Sequence, residues 1–159
     1  MNELARLRPM LPSDCRKPFS DPDWGYELKY DGYRLLADVD QGKVELRTKS
    51  GADATKWFPE TVRALSGLPG QQVFDGEVCV LDEYGRPDFV SLHRRALSRR
   101  YVPGAPVVAY IVFDLLIADG DDVMGQPFVE RKRRLTELLK QPPDGVLALS
   151  YIETEGEWL

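Results

Sequence analysis

The chain has little with which to build a disulfide framework or a metal cage. Among its 159 residues are two cysteines, Cys15 and Cys79, and a single histidine, His93. The cysteines form no CxxC pair, and His93 has no cysteine or second histidine at metal-ligand spacing, so it is assigned no role. Two isolated thiols fit a reduced, cytoplasmic compartment. No apolar run approaches the roughly 18 residues that a membrane span needs. The opening MNELARLRPM places charges and a proline where an export signal needs an apolar core, so neither export nor membrane association is expected. Net positive charge is absent as well: 21 Lys and Arg against 26 Asp and Glu leave −5. Proteins that grip nucleic acid unaided are usually basic, because neutralising phosphates supplies most of the affinity. Any such contact must here be local. The densest basic stretch is HRRALSRRY, where Arg94, Arg95, Arg99 and Arg100 fall within seven residues. That stretch is either a contact for a DNA backbone or a solvated helix face.

What is present describes one soluble domain, 43% hydrophobic and 30% charged, with no internal repeat. Residues 1–23, rich in proline from residue 8 onward, read as an irregular lead-in, and the organised part as 24–159. Two extended runs follow Gly25, joined by a hairpin turn at Asp40-Gln41-Gly42-Lys43. WFPETVRALSGLPG reads as a short helix with Pro59 in its first turn. QQVFDGEVCVLD reads as a strand, FVSLHRRALSRR as a helix, and VVAYIVFDLLIADG as a strand covered on both faces. VERKRRLTELLK is a helix stopped by Pro142-Pro143, and VLALSYIE a last strand. Hairpins mixed with helices, without strict βαβ alternation, give an α+β class of antiparallel sheets flanked by helices.

Three clusters could carry chemistry. In ELKYDGYRLL, an extended chain projects Glu27, Lys29 and Asp31 from one face, about 6.6 Å apart per step. Gly32 then permits a bend or a close backbone approach, and Arg34 follows. A lysine beside a carboxylate and an arginine can bind phosphate, or attack phosphorus once its pKa falls. A hairpin with solvated charges is the plainer alternative. In FDGEVCV, strand alternation puts Asp75 and Glu77 on one face and Phe74 and Val78 on the other. Such carboxylates can hold Mg²⁺ near phosphates, or belong to an ordinary half-buried strand. In YIVFDLL, Asp114 is the sole charge between Val107 and Ile117, costly unless paired. Its neighbour Phe113 could stack on a base or simply fill the core.

Taken in order, Lys29-x-Asp31-Gly32-x-Arg34, Lys49-Ser50-Gly51, Phe58-Pro59-Glu60, Asp75-Gly76-Glu77 and Phe113-Asp114-Leu115-Leu116 form one series. The series resembles the nucleotidyltransferase (adenylation) domain of ATP-dependent DNA ligases, and most of all the ligase module of bacterial end-joining ligases. The similarity runs from Trp24 to about Leu139, through LDEYGRPDF and VERKRRLTELL. A four-position motif arises by chance about once in 10⁵ windows, so several in order are no accident. RNA ligases and RNA-capping guanylyltransferases share Lys-x-Asp-Gly, but the match around GRPDF and FDLL favours DNA ligase. Nothing resembles the nicotinamide-binding module of NAD⁺-dependent ligases.

The resemblance implies that Lys29 is the nucleophile that attacks the α-phosphate of ATP and becomes lysyl-AMP. It implies a cationic, partly desolvated setting for that lysine. Glu27 would help to read the adenine edge, with Leu28 beside it. Asp31 would orient the lysine or the metal environment, and Arg34 would contact ribose or, later, the phosphate of the nicked strand. Glu77 would meet ribose and the metal, Mg²⁺ or Mn²⁺, and Phe113 would stack on adenine. AMP would pass to a DNA 5′-phosphate, and a 3′-hydroxyl would displace it, sealing nicked or broken double-stranded DNA in a bacterial cytoplasm.

Two departures qualify this. Lys49-Ser50-Gly51 stands where the family usually has Arg-Asn-Gly, so the bidentate fork is lost. Glu155-Gly156 is followed by Glu157-Trp158 and does not match the next family motif. The later Lys-x-Lys motif and the oligonucleotide-binding barrel are likewise not found. The expectation is therefore a partial adenylation domain, impaired in catalysis, weak in binding DNA alone, and prone to dimerise through uncovered sheet edges. A non-catalytic nucleotide- or partner-binding remnant is the alternative.

Overall fold

A computed structural model of the protein describes Leu4 and residues 6–14 and 17–153. Cys15 and the stretch Glu155-Gly156-Glu157-Trp158 lie outside the described residues.

The hairpin falls where its turn chemistry requires. Strand β1 (Tyr33–Asp40) passes to β2 (Lys43–Thr48) through Gln41 and Gly42, with φ of 47° and 86°. Two consecutive positive φ values give a turn whose twist matches that of the strands. On its other edge β1 pairs antiparallel with β3 (Gln71–Cys79), from Tyr33 opposite Val78 to Asp40 opposite Gln71. β3 pairs antiparallel with β4 (Ala109–Ala118). Beyond β4, the short β5 (Asp121–Asp122) joins its far end, and β6 (Val146–Ala148) runs parallel to Tyr110–Val112. The order β2-β1-β3-β4-β5, with β6 beside β4, makes one mixed sheet of six strands. Helices α1 (Pro59–Leu65), α2 (Phe89–Leu97) and α3 (Phe128–Leu138) flank it, giving the α+β class read from the sequence.

Strand alternation decides what is buried. Leu35, Ala37 and Val39 of β1 face the main core with Phe74, Val78, Tyr110 and Val112, each fully buried. Phe58, Leu65, Leu92 and Leu135 cover them from the helix side. Leu36, Val73 and Ile117 turn to the opposite face, where Leu4 packs on them. Tyr110 brings its hydroxyl into this interior and donates it to the Leu35 carbonyl at 2.9 Å. Between Asp75 and Gly76 the β3–β4 register shifts. A Cβ on Gly76 would stand 2.6 Å from the Ile111 carbonyl oxygen, so only glycine fits there.

Two expectations need correction. The first extended run does not begin at Gly25: among the described residues before Tyr33 the one strand-like pairing is an isolated bridge, Tyr26 to Ile152. Glu27 is turned inward there by a buried cation, so Glu27, Lys29 and Asp31 do not share one face. The second concerns the basic run. Asp88 caps α2 by accepting from the Ser91 N–H at 3.0 Å, which fixes the helix so that Leu92, Arg95 and Ala96 face inward. Arg95 is 6% exposed, pairs with Glu60 at 2.7 Å, and donates to the Trp57 and Pro106 carbonyls. It is an internal tie between α1 and α2, and cannot meet DNA.

Removing one partner of such a buried pair leaves the other groups unsatisfied. Arg95→Met should therefore cost about 3 kcal/mol in urea unfolding, whereas Arg94→Met, at an exposed position of the same helix, should leave the midpoint unchanged.

Candidate active site

The site is seated by a missing side chain. A Cβ on Gly32 would collide with the Val78 carbonyl oxygen and stand 2.7 Å from Cys79 Sγ. Without one, the loop carrying Lys29 and Asp31 lies directly against β3. The Gly32 N–H then lies close enough to the Glu77 carboxylate to favour its charged form. Lys49, at the end of β2, is held to the same region by its backbone N–H, which donates to the Arg34 carbonyl at 3.2 Å.

Two adjoining hollows result. The smaller, about 250 Å³, is walled by Glu27, Leu28, Ile111, Phe113 and Leu149. The larger, about 610 Å³, is walled by Asp31, Tyr33, Lys49, Trp57 and Arg99. Lys29, Arg34 and Glu77 border both. Both compartments are mainly apolar; the smaller holds the Phe113 ring, and the larger adds the cations Lys49 and Arg99. The lysine singled out in the sequence stands where they meet.

Electrostatics distinguish the residues further. Arg34 grips Asp75 with two bonds, Nε to Oδ1 at 2.9 Å and Nη2 to Oδ2 at 2.8 Å, and its guanidinium lies 5.0 Å from the Phe113 ring centre. The pair holds Arg34 charged and leaves Nη1 for a ligand. Burial pushes the Glu77 carboxyl upward, against the pull of the Gly32 N–H and of Arg34 and Lys29. Burial likewise pushes Glu27 upward, opposed by Lys132, whose Nζ lies 2.5 Å from Glu27 Oε1. Cys79, beneath the loop, is raised to about 12 by burial, so it stays an inert thiol. Lys29 differs from the partly desolvated setting expected of it. Its side chain is 83% exposed and 3.9 Å from Asp31, because the loop sits at the open mouth of the larger hollow.

The structure gathers Glu27, Leu28, Lys29, Asp31, Arg34, Lys49, Glu77 and Phe113 around these two hollows. It scatters the basic run: Arg94 and Arg100 are exposed, Arg95 is buried, and Arg99 lines the larger hollow 6.0 Å from the Trp57 ring. Asp114 has the partner its burial demands, a two-bond pair with Arg131 at 2.9 Å. His93, given no role from the sequence, is 2.7 Å from the Tyr33 hydroxyl through Nδ1 and stacks on Phe89, behind the wall of the larger hollow. Lys132 escaped notice although a signal existed: it falls on the buried stripe of α3 with Leu135 and Leu139. Among the described residues no cluster of three His, Cys, Asp or Glu could hold a metal ion unaided, and no helix is long and apolar enough to cross a membrane.

This arrangement, a loop lysine between a base-sized hollow and a cationic one, is that of a nucleotide-handling domain. Residues 9–157 match the family model of the ATP-dependent DNA ligase domain, and the chain belongs to that family. It is 40% identical over 146 residues to the multifunctional non-homologous end joining protein LigD of Pseudomonas aeruginosa, covering 91% of this chain and 17% of that protein. It is 34% identical over 138 residues to the prophage-derived DNA ligase-like protein LigB of Bacillus subtilis, covering 87% and 49%. Among solved structures, the ligase domain of Mycobacterium tuberculosis LigD superposes with a TM-score of 0.80 at 30% identity, covering 94% of this chain and 48% of that one. A mycobacterial DNA ligase D complexed with ATP and MES gives 0.79 at 31%, covering 97% and 49%. The chain thus spans less than half the length of these relatives.

Because burial raises Glu77, its charged form weakens the fold wherever the carboxylate is ionised. The penalty is fully present above its folded pKa and vanishes below the ordinary value of 4.5. Glu77→Gln should therefore raise the thermal midpoint at pH 7, with a gain that shrinks toward zero as the pH falls through that window.

Proposed function

We propose that this chain carries out nucleotide activation for an ATP-dependent DNA ligase, with Lys29 as the nucleophile. The observation that carries this reading is the position of Lys29 on the border between the aromatic-walled hollow and the cationic one. The base and sugar of ATP occupy the smaller hollow, with Phe113 stacking and Glu27 at the base edge, which leaves the α-phosphate beside Lys29. The neutral amine attacks the α-phosphorus and sheds its proton. An N–P bond forms, the bond from that phosphorus to the β-phosphate oxygen breaks, and pyrophosphate leaves. Asp31 orients the lysine, and Arg34 and Lys49 hold phosphate oxygens from the larger hollow.

A magnesium ion fits the donors present. Mg²⁺ is commonly held by one or two carboxylates together with substrate phosphates, and needs no closed protein cage. Glu77, with Asp31 nearby, supplies that carboxylate edge. When bound, the ion neutralises charge on the phosphates. The AMP next passes from Lys29 to a DNA 5′-phosphate, and a 3′-hydroxyl displaces it to join the strands. The bacterial origin of the relatives, whose names include end joining, supports a cytoplasmic role in DNA repair.

Incubation with ATP and Mg²⁺ followed by intact-protein mass spectrometry tests the first step. The expected result is an acid-labile gain of one AMP in the parent chain and none in Lys29→Ala. A gain that survives the substitution would sink the assignment. For DNA, exchange of both Arg94 and Arg100 for alanine should weaken binding equally across sequences and reduce the slope of log affinity against log salt by about 2.

A further inference from the structure

Lys132 is an internal cation whose every donor is committed. It projects from the buried stripe of α3 and is 3% exposed. An ammonium has three N–H groups, and here each meets a different segment: Glu27 Oε1 at 2.5 Å, the Phe113 carbonyl at 2.9 Å and the Leu149 carbonyl at 2.5 Å. All three partners wall the smaller hollow. One side chain therefore fixes the loop before the nucleophile, the strand that carries the aromatic ring, and the segment after β6.

Its second effect is on the chemistry of that wall. Glu27 is half-buried, and burial and the charge of Asp114 on β4 both favour its protonated form. Lys132 on α3 opposes them, while Asp114 is itself held by Arg131. An ionised carboxylate can only accept hydrogen bonds, whereas a protonated one also offers an O–H. With Oε1 bound to Lys132, Oε2 remains as an acceptor on a side chain that walls the hollow. An acceptor there suits a purine edge that bears an exocyclic amine. It leaves a carbonyl at the same place without a partner, and an unpaired buried polar group is costly.

We infer that Lys132 is a positioning residue that sets base selectivity, holding Glu27 as a pure acceptor so that the smaller hollow takes an adenine-type edge over a guanine-type one. The inference rests on the reading of this hollow as the nucleotide site.

Calorimetric titration of the whole chain with ATP and with GTP tests it, using the parent, Lys132→Met and the double variant Glu27→Gln with Lys132→Met. The parent should favour ATP. Lys132→Met should lose about tenfold of that preference, and the loss should diminish as the pH rises, because ionising Glu27 restores the acceptor. Taking the ratio of the two nucleotides cancels their shared phosphate titration. The double variant removes the unpaired carboxylate, and so keeps the test available if Lys132→Met does not fold. Its amide offers both a donor and an acceptor, so its preference should be reduced and independent of pH. A folded Lys132→Met with the parental ratio at every pH, or a double variant with the parental ratio, would overturn the inference alone. A parent chain that binds neither nucleotide would overturn the underlying site reading as well.

Discussion

The loop that bears Lys29 can lie against β3 only because Gly32 has no side chain, and the rest of the site follows from that contact. Seated there, the glycine N–H reaches Glu77 and the chain enters β1 in register with β3. That register sets Arg34 opposite Glu77, two positions from Asp75 across the ladder. The arginine spans the short diagonal to the buried carboxylate and lies over Phe113. A methyl group on Gly32 would push the loop outward and displace the lysine, the carboxylate and the arginine together.

An acidic protein thus maintains a cationic hollow through arrangement and not through excess. Its internal cations each have a carboxylate: Arg34 has Asp75, Arg95 has Glu60, and Lys132 has Glu27. Arg95 and Lys132 also saturate backbone carbonyls, which makes a buried charge tolerable. These pairs tie helices to loops and strands and add no net charge. Besides the free edge of Arg34, a phosphate would meet Lys29, Lys49 and Arg99 at the open face, and of these three, among the described residues, only Lys29 has a carboxylate within ion-pair distance.

How much of this was legible depended on the range of the interactions concerned. The hairpin at Gln41-Gly42, the proline-led α1 and the apolar β4 are written in adjacent residues, and they could be read. The residues that gather at the two hollows could be singled out for the same reason, since short ordered motifs carry them. The need of Asp114 for a partner was also legible from burial cost, but Arg131 lies 17 residues away, and nothing local designates it. Arg95 and Lys132 were hidden by their neighbours. Within HRRALSRR and ERKRR most charges are solvated, and only helical spacing relative to Leu92 or Leu135 reveals the one that turns inward. The late start of β1 was missed because Glu27 is drawn inward by a lysine 105 residues further along.

That same separation has a temporal consequence. The loop that bears Lys29 leaves the ribosome well before the cation that closes the smaller hollow, which lies 105 residues beyond Glu27, and before the Leu149 carbonyl that completes its coordination, 17 residues further on. Contacts so distant along the chain form late, after the intervening loop has closed. A nascent chain halted before α3 displays Lys29, Gly32 and its first hairpin, yet its smaller hollow is unfinished. Lys29 is made before the chamber beside it, and that chamber is complete only once α3 and the segment after β6 have been synthesised.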